Sequence, residues 1–379
     1  MNNTIQRGNN AMTASWQYTN PVKIDFGVGA ADRLKQKIGG RPYCLLTYGD
    51  NPHFIELGDK ISAKAGKPAV VVRDVEPNPS FIGLRKACSS YMKASSPPQV
   101  IVALGGGSVI DTAKVLAAAN GDFARVQSFL EGAPGAKLKP EVAIIAVPTT
   151  AGTGSEVTSW ATVWDTEKKK KYSLALPELY PEYAVIDPSL AVGLPRDLTV
   201  STGLDALSHA LESIWNVNAN PVSTHHAIFA AREVIDVLPR LASDLTNIDH
   251  RARLARACMF AGLAFSNTKT ALAHSLSYYL TLHYGTVHGI ACSFSLPAVM
   301  RSVVGKNVAC DEALSAIFGN DLALGANKLE ITLNQLGVST LATDYGPSKS
   351  EWIDAVNDAL IGERGKNFIG DREAVLSAV

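Results

Sequence analysis

One carboxylate and three imidazoles in this chain stand at spacings that suit a metal ion. Asp205 and His209 are four residues apart, which puts both on one face of a helix, off the stripe formed by Leu204, Leu207 and Leu211. His274 and His288 lie in a run, Thr270 to Met300, that contains no Asp, Glu, Lys or Arg. Unbroken helix would hold those two histidines about 21 Å apart, too far to share an ion. Tyr284-Gly285-Thr286 offers the break that folds His288 back beside His274. One carboxylate with three imidazoles suits a borderline divalent ion, Fe2+ or Zn2+. Each histidine alone is more often a hydrogen-bonded core residue; together, with Asp205 the only carboxylate between 198 and 211, they favour a metal. His283 is placed to line the same cavity. His225, His226 and His250 sit in polar helix surroundings and read as solvated.

Two further segments could hold a phosphate. Gly105-Gly106-Gly107-Ser108 follows an apolar run and opens a helix. Glycines let backbone amides approach a ligand closely, and a helix N-terminus favours an anionic pyrophosphate. A plain tight turn, with Ser108 as N-cap and Asp111 as its capping-box partner, fits the same residues. The second segment, Pro148 to Glu156, puts Thr149, Thr150, Ser155 and two glycines directly after another apolar run. That is the carboxyl edge of a strand, where ligands bind in open α/β sheets. Two such loops at one edge argue for a dinucleotide. The run Lys168 to Lys171 reads as a solvated hairpin turn, with Lys171 at its inner end able to face the cleft.

The elements that must position these groups are legible in outline. Tyr43–Tyr48, Ala69–Arg73, Val100–Leu104 and Val142–Val147 are short continuous apolar runs, as expected of parallel strands buried on both faces. Helical patterns lie between them, over Phe81–Ala94 and Val109–Ala119, which predicts a doubly wound sheet. Val157–Asp187 is rich in β-branched and aromatic residues and reads as a hairpin on the sheet edge. From Pro195 onward the periodicity is helical, with helices expected over Gly203–Trp215, 221–242, 250–265 and 268–282. The reading is an α/β N-terminal Rossmann-like domain, 1–190, followed by an all-α C-terminal domain, 191–379.

Composition agrees with that reading. The chain has 379 residues, 35 Lys+Arg against 35 Asp+Glu, and 46% hydrophobic residues. That excludes a disordered chain, and the absence of a basic stripe argues against a nucleic-acid partner. Five widely spaced cysteines read as buried thiols of a reducing compartment. Met1–Ser15 lacks an apolar core and reads as a frayed leader rather than a secretory signal. The charge-free stretch is long enough to span a membrane, but its three histidines, two glycines and Pro297 make it core wrapped round a polar site. A cytoplasmic protein is expected.

These segments together resemble the iron-containing (group III) alcohol dehydrogenases, from about Asn20 to at least Pro297. The matching residues are Gly105-Gly106-Gly107-Ser108 through Asp111 and Lys114, then Pro148-Thr149-Thr150 with Gly152-Thr153-Gly154-Ser155-Glu156. Asp187-Pro188, Gly203-Leu204-Asp205-Ala206-Leu207 with His209 and Glu212, and His274 with His288-Gly289 complete the set. The resemblance implies the dehydroquinate synthase-like fold and a metal in the cleft, held by Asp205, His209, His274 and His288. It implies NAD or NADP bound by Gly105, Gly106, Gly107, Ser108, Asp111, Thr149, Thr150, Ser155 and Lys171, and a homodimer. Two positions depart from the family. Tyr278 replaces a histidine associated with proton relay, so Tyr278 or His283 is expected to carry the proton. Tyr48, followed by Gly49-Asp50, replaces the acidic residue that binds the cofactor ribose, which opens the site to NADPH.

The segment Thr268–Pro297 is most similar to a subgroup associated with phosphonate metabolism, whose members interconvert phosphonoacetaldehyde and 2-hydroxyethylphosphonate. In that case Lys269 would anchor the phosphonate; an exposed helix-end lysine is the alternative. The expected reaction is hydride transfer between nicotinamide and a small alcohol or aldehyde, assisted by Lewis acidity. A glycerol-1-phosphate dehydrogenase or cyclase relative and a non-catalytic nucleotide-binding protein are the competing readings.

Overall fold

The computed structural model describes residues 15–49, 51–370 and 372–378. The leader segment 1–14 and Asp50 therefore lie outside the described residues. The first half alternates β1 (Lys23–Phe26), α1 (Leu34–Ile38), β2 (Tyr43–Leu46), α2 (Pro52–Ala65), β3 (Val70–Val72), α3 (Phe81–Tyr91) and β4 (Val100–Gly105). It continues with α4 (Gly107–Ala119), α5 (Phe123–Leu130), β5 (Ala143–Pro148), β6 (Trp160–Asp165), β7 (Lys170–Ala175) and β8 (Tyr183–Ile186). Six strands form one parallel sheet in the order β1-β8-β5-β4-β2-β3. Alternate residues of β4 serve opposite cores. Val100, Val102 and Leu104 pack with α1 and α2, whereas Ile101 and Ala103 pack with α3 and α4. Burial on both faces explains the unbroken apolar runs.

Two expectations need correction here. The segment read as an edge hairpin contains β6 and β7, which pair antiparallel as a separate two-stranded sheet. The same segment also ends in β8, a core strand between β1 and β5. The outermost strand β1 carries no apolar signature because its residues are exposed or half-buried. Ser108 does not cap α4 either. The N-cap is Gly106 without a side-chain bond, and the Ser108 hydroxyl instead accepts from the Asn78 amide at 3.2 Å.

Helices make up the second half: α6 (Arg196–Ile214), α7 (Pro221–Ser243), α8 (Ile248–Thr268), α9 (Leu272–Tyr284), α10 (His288–Ser293) and α11 (Leu296–Val303). α12 (Val308–Phe318), α13 (Leu322–Gln335), α14 (Lys349–Ile361) and α15 (Arg372–Ala378) complete it. α6 has no single apolar stripe. Its last turns, from Gly203 to Ile214, are buried all round, as befits the central helix of a bundle. The helix expected to start at 268 starts at Leu272, because Thr268 ends α8 and Lys269 turns the chain at φ 63°. No described helix is long and apolar enough to cross a membrane.

β1 is held to the body partly by charge. Asp25 accepts from Arg33 Nε at 2.9 Å and lies 3.1 Å from Lys37 Nζ. The Arg33 hydrogen bond holds its carboxyl down to about 2, against ~3.9 for an unfolded aspartate. A depressed folded value contributes stability that is present above the unfolded value and lost as pH falls toward about 2. Asp25→Asn is expected to cost roughly 1–2 kcal/mol at neutral pH, after allowance for solvent screening. Urea unfolding at stepped pH should show the gap closing under acid; a gap that ignores pH would mean that charge is not its origin.

Candidate active site

The chain switches direction across the sheet between β2 and β4, where a crevice opens at the strand ends. The loop after β4 is glycine-rich for a steric reason. A Cβ on Gly106 would stand 2.9 Å from Thr150 Oγ1, and one on Gly107 would stand 2.6 Å from Thr153 Cγ2. The two loops thus touch, which neither a side chain at 106 nor one at 107 would permit. Tyr48, two residues past the end of β2, lies across the first loop, its hydroxyl 3.6 Å from the Cβ position of Gly106. Gly107, Ser108, Asp111, Thr153 and Ser155 line a cavity of about 500 Å³. Gly105, Gly106, Thr149 and Thr150 stand behind that wall, and Thr149 Oγ1 is buried without a partner.

The far wall of the same cavity is made by Asp205, His209, His274 and His288. Asp205 Oδ1 lies 3.3 Å from His274 Nε2 and 3.9 Å from both His209 Nε2 and His288 Nε2. The His209 ring stacks between Phe265, at 4.0 Å, and His274, at 4.5 Å. α9 ends at Gly285, φ 68°, and α10 begins at His288, so the chain breaks where the glycine stands. Gly289 then lets α10 press on α6: a Cβ there would fall 1.8 Å from the Ser201 carbonyl oxygen. Without that contact His288 would not reach Asp205.

The donor chemistry fits a divalent ion. Asp205 Oδ1 and His274 Nε2, which face each other, are both buried without a hydrogen-bond partner, an arrangement that is costly unless something else satisfies them. Burial holds His209 down to about 4 and His288 down to about 3, which leaves both imidazoles neutral, the form that ligates. Burial opposes the Asp205 carboxylate, which nevertheless stays ionised beside His274, whose own value is raised, unlike those of His209 and His288. His288 is 36% exposed, whereas the other three are 7% or less. The cluster is therefore open on one side, toward the cavity.

The sequence analysis gave no role at the site to two neighbours. Glu212, fully buried, accepts from His274 Nδ1 at 2.6 Å and from the amides of Ala271 and His274 at 2.9 and 3.2 Å. It fixes the tautomer that points Nε2 at Asp205, the usual partner of a ligating histidine. Its spacing of three from His209 was the available signal. The cysteines are free and buried as expected, but Cys292 Sγ is only 3.6 Å from His288 Nε2. The donors whose atoms all lie within 4.8 Å of one another are Asp205, His274, His288 and Cys292, with the predicted His209 outside that group.

Asp111, expected at the cofactor, lines the cavity and also anchors the loops. Its two oxygens accept from Ser155 Oγ at 2.6 Å and Thr162 N at 2.9 Å. Lys114, fully buried, donates to Ser155 Oγ, Ser155 O and Trp160 O at 2.7–2.8 Å. Lys171 does face the cleft, on β7, and burial lowers its ammonium to about 7. Its Nζ lies 4.1 Å from the centre of the Tyr278 ring, and the Arg364 guanidinium lies 4.9 Å from that centre. The Tyr278 hydroxyl is buried and makes no hydrogen bond to another described residue. His283 is not in the cavity. It is exposed on the last turn of α9, against Tyr279, because α9 turns that face to solvent. Lys269 lines the cavity from an exposed position at its rim.

Comparison with known proteins places this geometry. Residues 21–188 match the model of the iron-containing alcohol dehydrogenases, and 199–366 match that of their C-terminal region. The NAD-dependent methanol dehydrogenase of Bacillus methanolicus is 34% identical over 70% of this chain and 69% of its own. The phosphonoacetaldehyde reductase of Streptomyces viridochromogenes is 36% identical over 62% of this chain and 60% of its own. The sulfoacetaldehyde reductase of Bifidobacterium kashiwanohense, solved with NAD+, superposes with a TM-score of 0.87 at 27% identity, covering 96% of this chain and 97% of that one.

Proposed function

The chain belongs to the iron-containing alcohol dehydrogenase family, and we propose that within it the enzyme reduces phosphonoacetaldehyde, or an aldehyde of the same charge and length, to the alcohol. The observation that carries this reading is a single cavity with three kinds of lining. The donor cluster forms one wall, the two strand-end loops form another, and the basic side chains Lys171, Lys269 and Arg364 stand between them. The phosphonoacetaldehyde and sulfoacetaldehyde reductases among its relatives support an anionic substrate. The division into a dinucleotide-binding domain at 1–190, a metal-binding domain at 191–379 and a homodimeric assembly belong to the same proposal.

Asp205, His209, His274 and His288 would hold Fe2+ or Zn2+. Gly105, Gly106, Gly107, Ser108, Thr149, Thr150, Ser155 and Lys171 would border NAD or NADP. When bound, the ion supplies Lewis acidity and the nicotinamide supplies hydride. The chain itself holds the two binding regions at one cavity. Glu212 fixes the orientation of His274, and Phe265 fixes that of His209. Proton delivery falls to water in the cavity, and Tyr278 acts through its ring rather than its hydroxyl.

The test is an aldehyde panel containing phosphonoacetaldehyde and propanal, run with NADH and NADPH on protein reconstituted with Fe2+, Zn2+ or Mn2+. Turnover should be highest on phosphonoacetaldehyde. Turnover of propanal with none of the phosphonate would overturn the substrate assignment. Cofactor choice is a separate prediction. Tyr48 offers neither an acceptor for two ribose hydroxyls nor a negative charge against a 2′-phosphate, so NADPH should be used within about tenfold of NADH in kcat/KM. A thousandfold preference for NADH would show that another carboxylate fills the place.

A further inference from the structure

We propose that Arg364 is the residue that binds the acidic group of the substrate, with the Lys171 ammonium as the second positive charge. The inference rests on the anionic-aldehyde reading above and assigns its charge-binding subsite. Arg364 belongs to neither strand-end loop and to none of the donor residues. It stands at the end of the turn after α14, 86 positions beyond Tyr278 in the chain, yet it lines the cavity that the donor cluster walls.

The turn that carries it is built for that position. A Cβ on Gly365 would fall 2.2 Å from the Ala359 carbonyl oxygen, so only glycine allows the chain to double back so tightly after α14. Asn367 Nδ2 then donates to the Thr270 carbonyl at 2.9 Å, and the Val217 amide donates to Asn367 O at 2.8 Å. These bonds stitch the turn to the start of α9 and the end of α6, the two helices that carry His274 and His209. Arg364 is therefore fixed relative to the donor cluster.

No carboxylate stands within ion-pair distance of its charge; Glu212 acts on it only from farther off. Among the described residues, Arg364, Lys171 and Lys269 take part in no ion pair within 4 Å, whereas the half-buried Arg33, Lys37, Arg41 and Arg253 do, and the buried Lys114 and Arg251 are held by hydrogen bonds instead. Instead Arg364 and Lys171 face the same aromatic ring, that of Tyr278. Two partly desolvated cations that share one ring repel each other, and burial followed by Arg364 is what depresses the Lys171 ammonium. A π face offsets only ~1–2 kcal/mol of that cost. A tetrahedral oxyanion would offset far more, because a guanidinium fork matches two of its oxygens and the ammonium a third. Lys269 differs: it is exposed and has solvent to satisfy it. It would attract the anion at the rim, whereas Arg364 would hold it.

The subsite is defined by charge and tetrahedral shape, so it should accept a sulfonate as well as a phosphonate. The probes are ethylphosphonate and ethanesulfonate, which have the acidic group but no carbonyl to react. Their binding to the metal-loaded wild-type enzyme can be followed by the fluorescence of Trp160 and Trp164, which line the cavity. Arg364→Gln should weaken both by about a hundredfold, ~2.7 kcal/mol, and raise KM for phosphonoacetaldehyde to the same extent. Propanal turnover and NADH and NADPH affinities should stay within about threefold, and Arg364→Lys should recover part of the loss. Lys269→Ala should raise KM for phosphonoacetaldehyde about tenfold.

Unchanged anion binding in Arg364→Gln, or an equal loss on propanal, would overturn the assignment. So would failure of the wild-type enzyme to bind either anion while it reduces propanal, an outcome that leaves the aldehyde reductase intact. Arg364-dependent binding of ethylphosphonate by a wild-type enzyme that does not reduce phosphonoacetaldehyde would uphold the subsite and remove only the named substrate.

Discussion

His209→Ala should yield a folded protein that retains no stoichiometric metal and has lost at least a thousandfold in kcat/KM, about 4 kcal/mol. His209 is one of the four proposed ligands: its Nε2 lies 3.9 Å from Asp205 Oδ1, and its ring stacks on His274 at 4.5 Å. Losing one donor from four leaves Asp205 opposite two imidazoles, of which His288 is half open to the cavity. The fold should survive, because the neighbours of His209 on α6 are themselves buried apolar residues: Leu204, Ala206, Leu207, Ala210 and Leu211. The imidazole that is removed packs flat on Phe265, so a void remains and a loss of roughly 1–3 kcal/mol in stability is expected. Metal content by mass spectrometry, taken with a urea titration, separates the two effects. One equivalent of metal per chain together with wild-type turnover would remove His209 from the ligand set.

The same cluster shows what could be read from the chain alone. Asp205 and His209 were legible because a helix turns four residues into neighbours. His288 was legible because Gly285 is the residue that ends a helix in the left-handed conformation. Strands β2 to β5 were legible because burial on both faces leaves continuous apolar runs. β1 was not, since at the sheet edge Lys23, Ile24, Asp25 and Phe26 need no such pattern. Glu212 carried a weak helical signal. Arg364 carried none: it meets Tyr278 only through a tertiary turn, and no local spacing connects residue 364 with residue 171. The hairpin β6–β7 was misplaced for a related reason, since alternation identifies a strand but not the sheet to which it belongs.

A larger loss of stability should come from a residue outside the donor cluster. Lys114 is fully buried on α4 and its Nζ donates to Ser155 and Trp160, while Asp111 and Glu156 are the nearby charges that favour its ammonium. Lys114→Met preserves most of the side-chain volume but leaves the Ser155 and Trp160 carbonyls without their donor. It also leaves Asp111 buried without its nearest cation. Breaking a buried charged network from one side typically costs ~3–5 kcal/mol, and a loss of that size is expected here. Burial already raises the Asp111 carboxyl, and Lys114 is the first of the groups that oppose the rise. In the variant the folded value should climb further above the unfolded ~3.9. A raised folded value favours the folded state only while the carboxyl is protonated, so the variant should lose stability as pH rises above that range. The gap from wild type, measured by urea unfolding, should therefore be wider at pH 8 than at pH 5. The segment Ser155–Trp160 follows the second strand-end loop directly, and its loosening should also weaken NADH binding about tenfold. Adding Asp111→Asn to Lys114→Met should restore part of the stability, because it removes the stranded charge; additive losses in that double-mutant cycle would show that Lys114 and Asp111 do not act as one network.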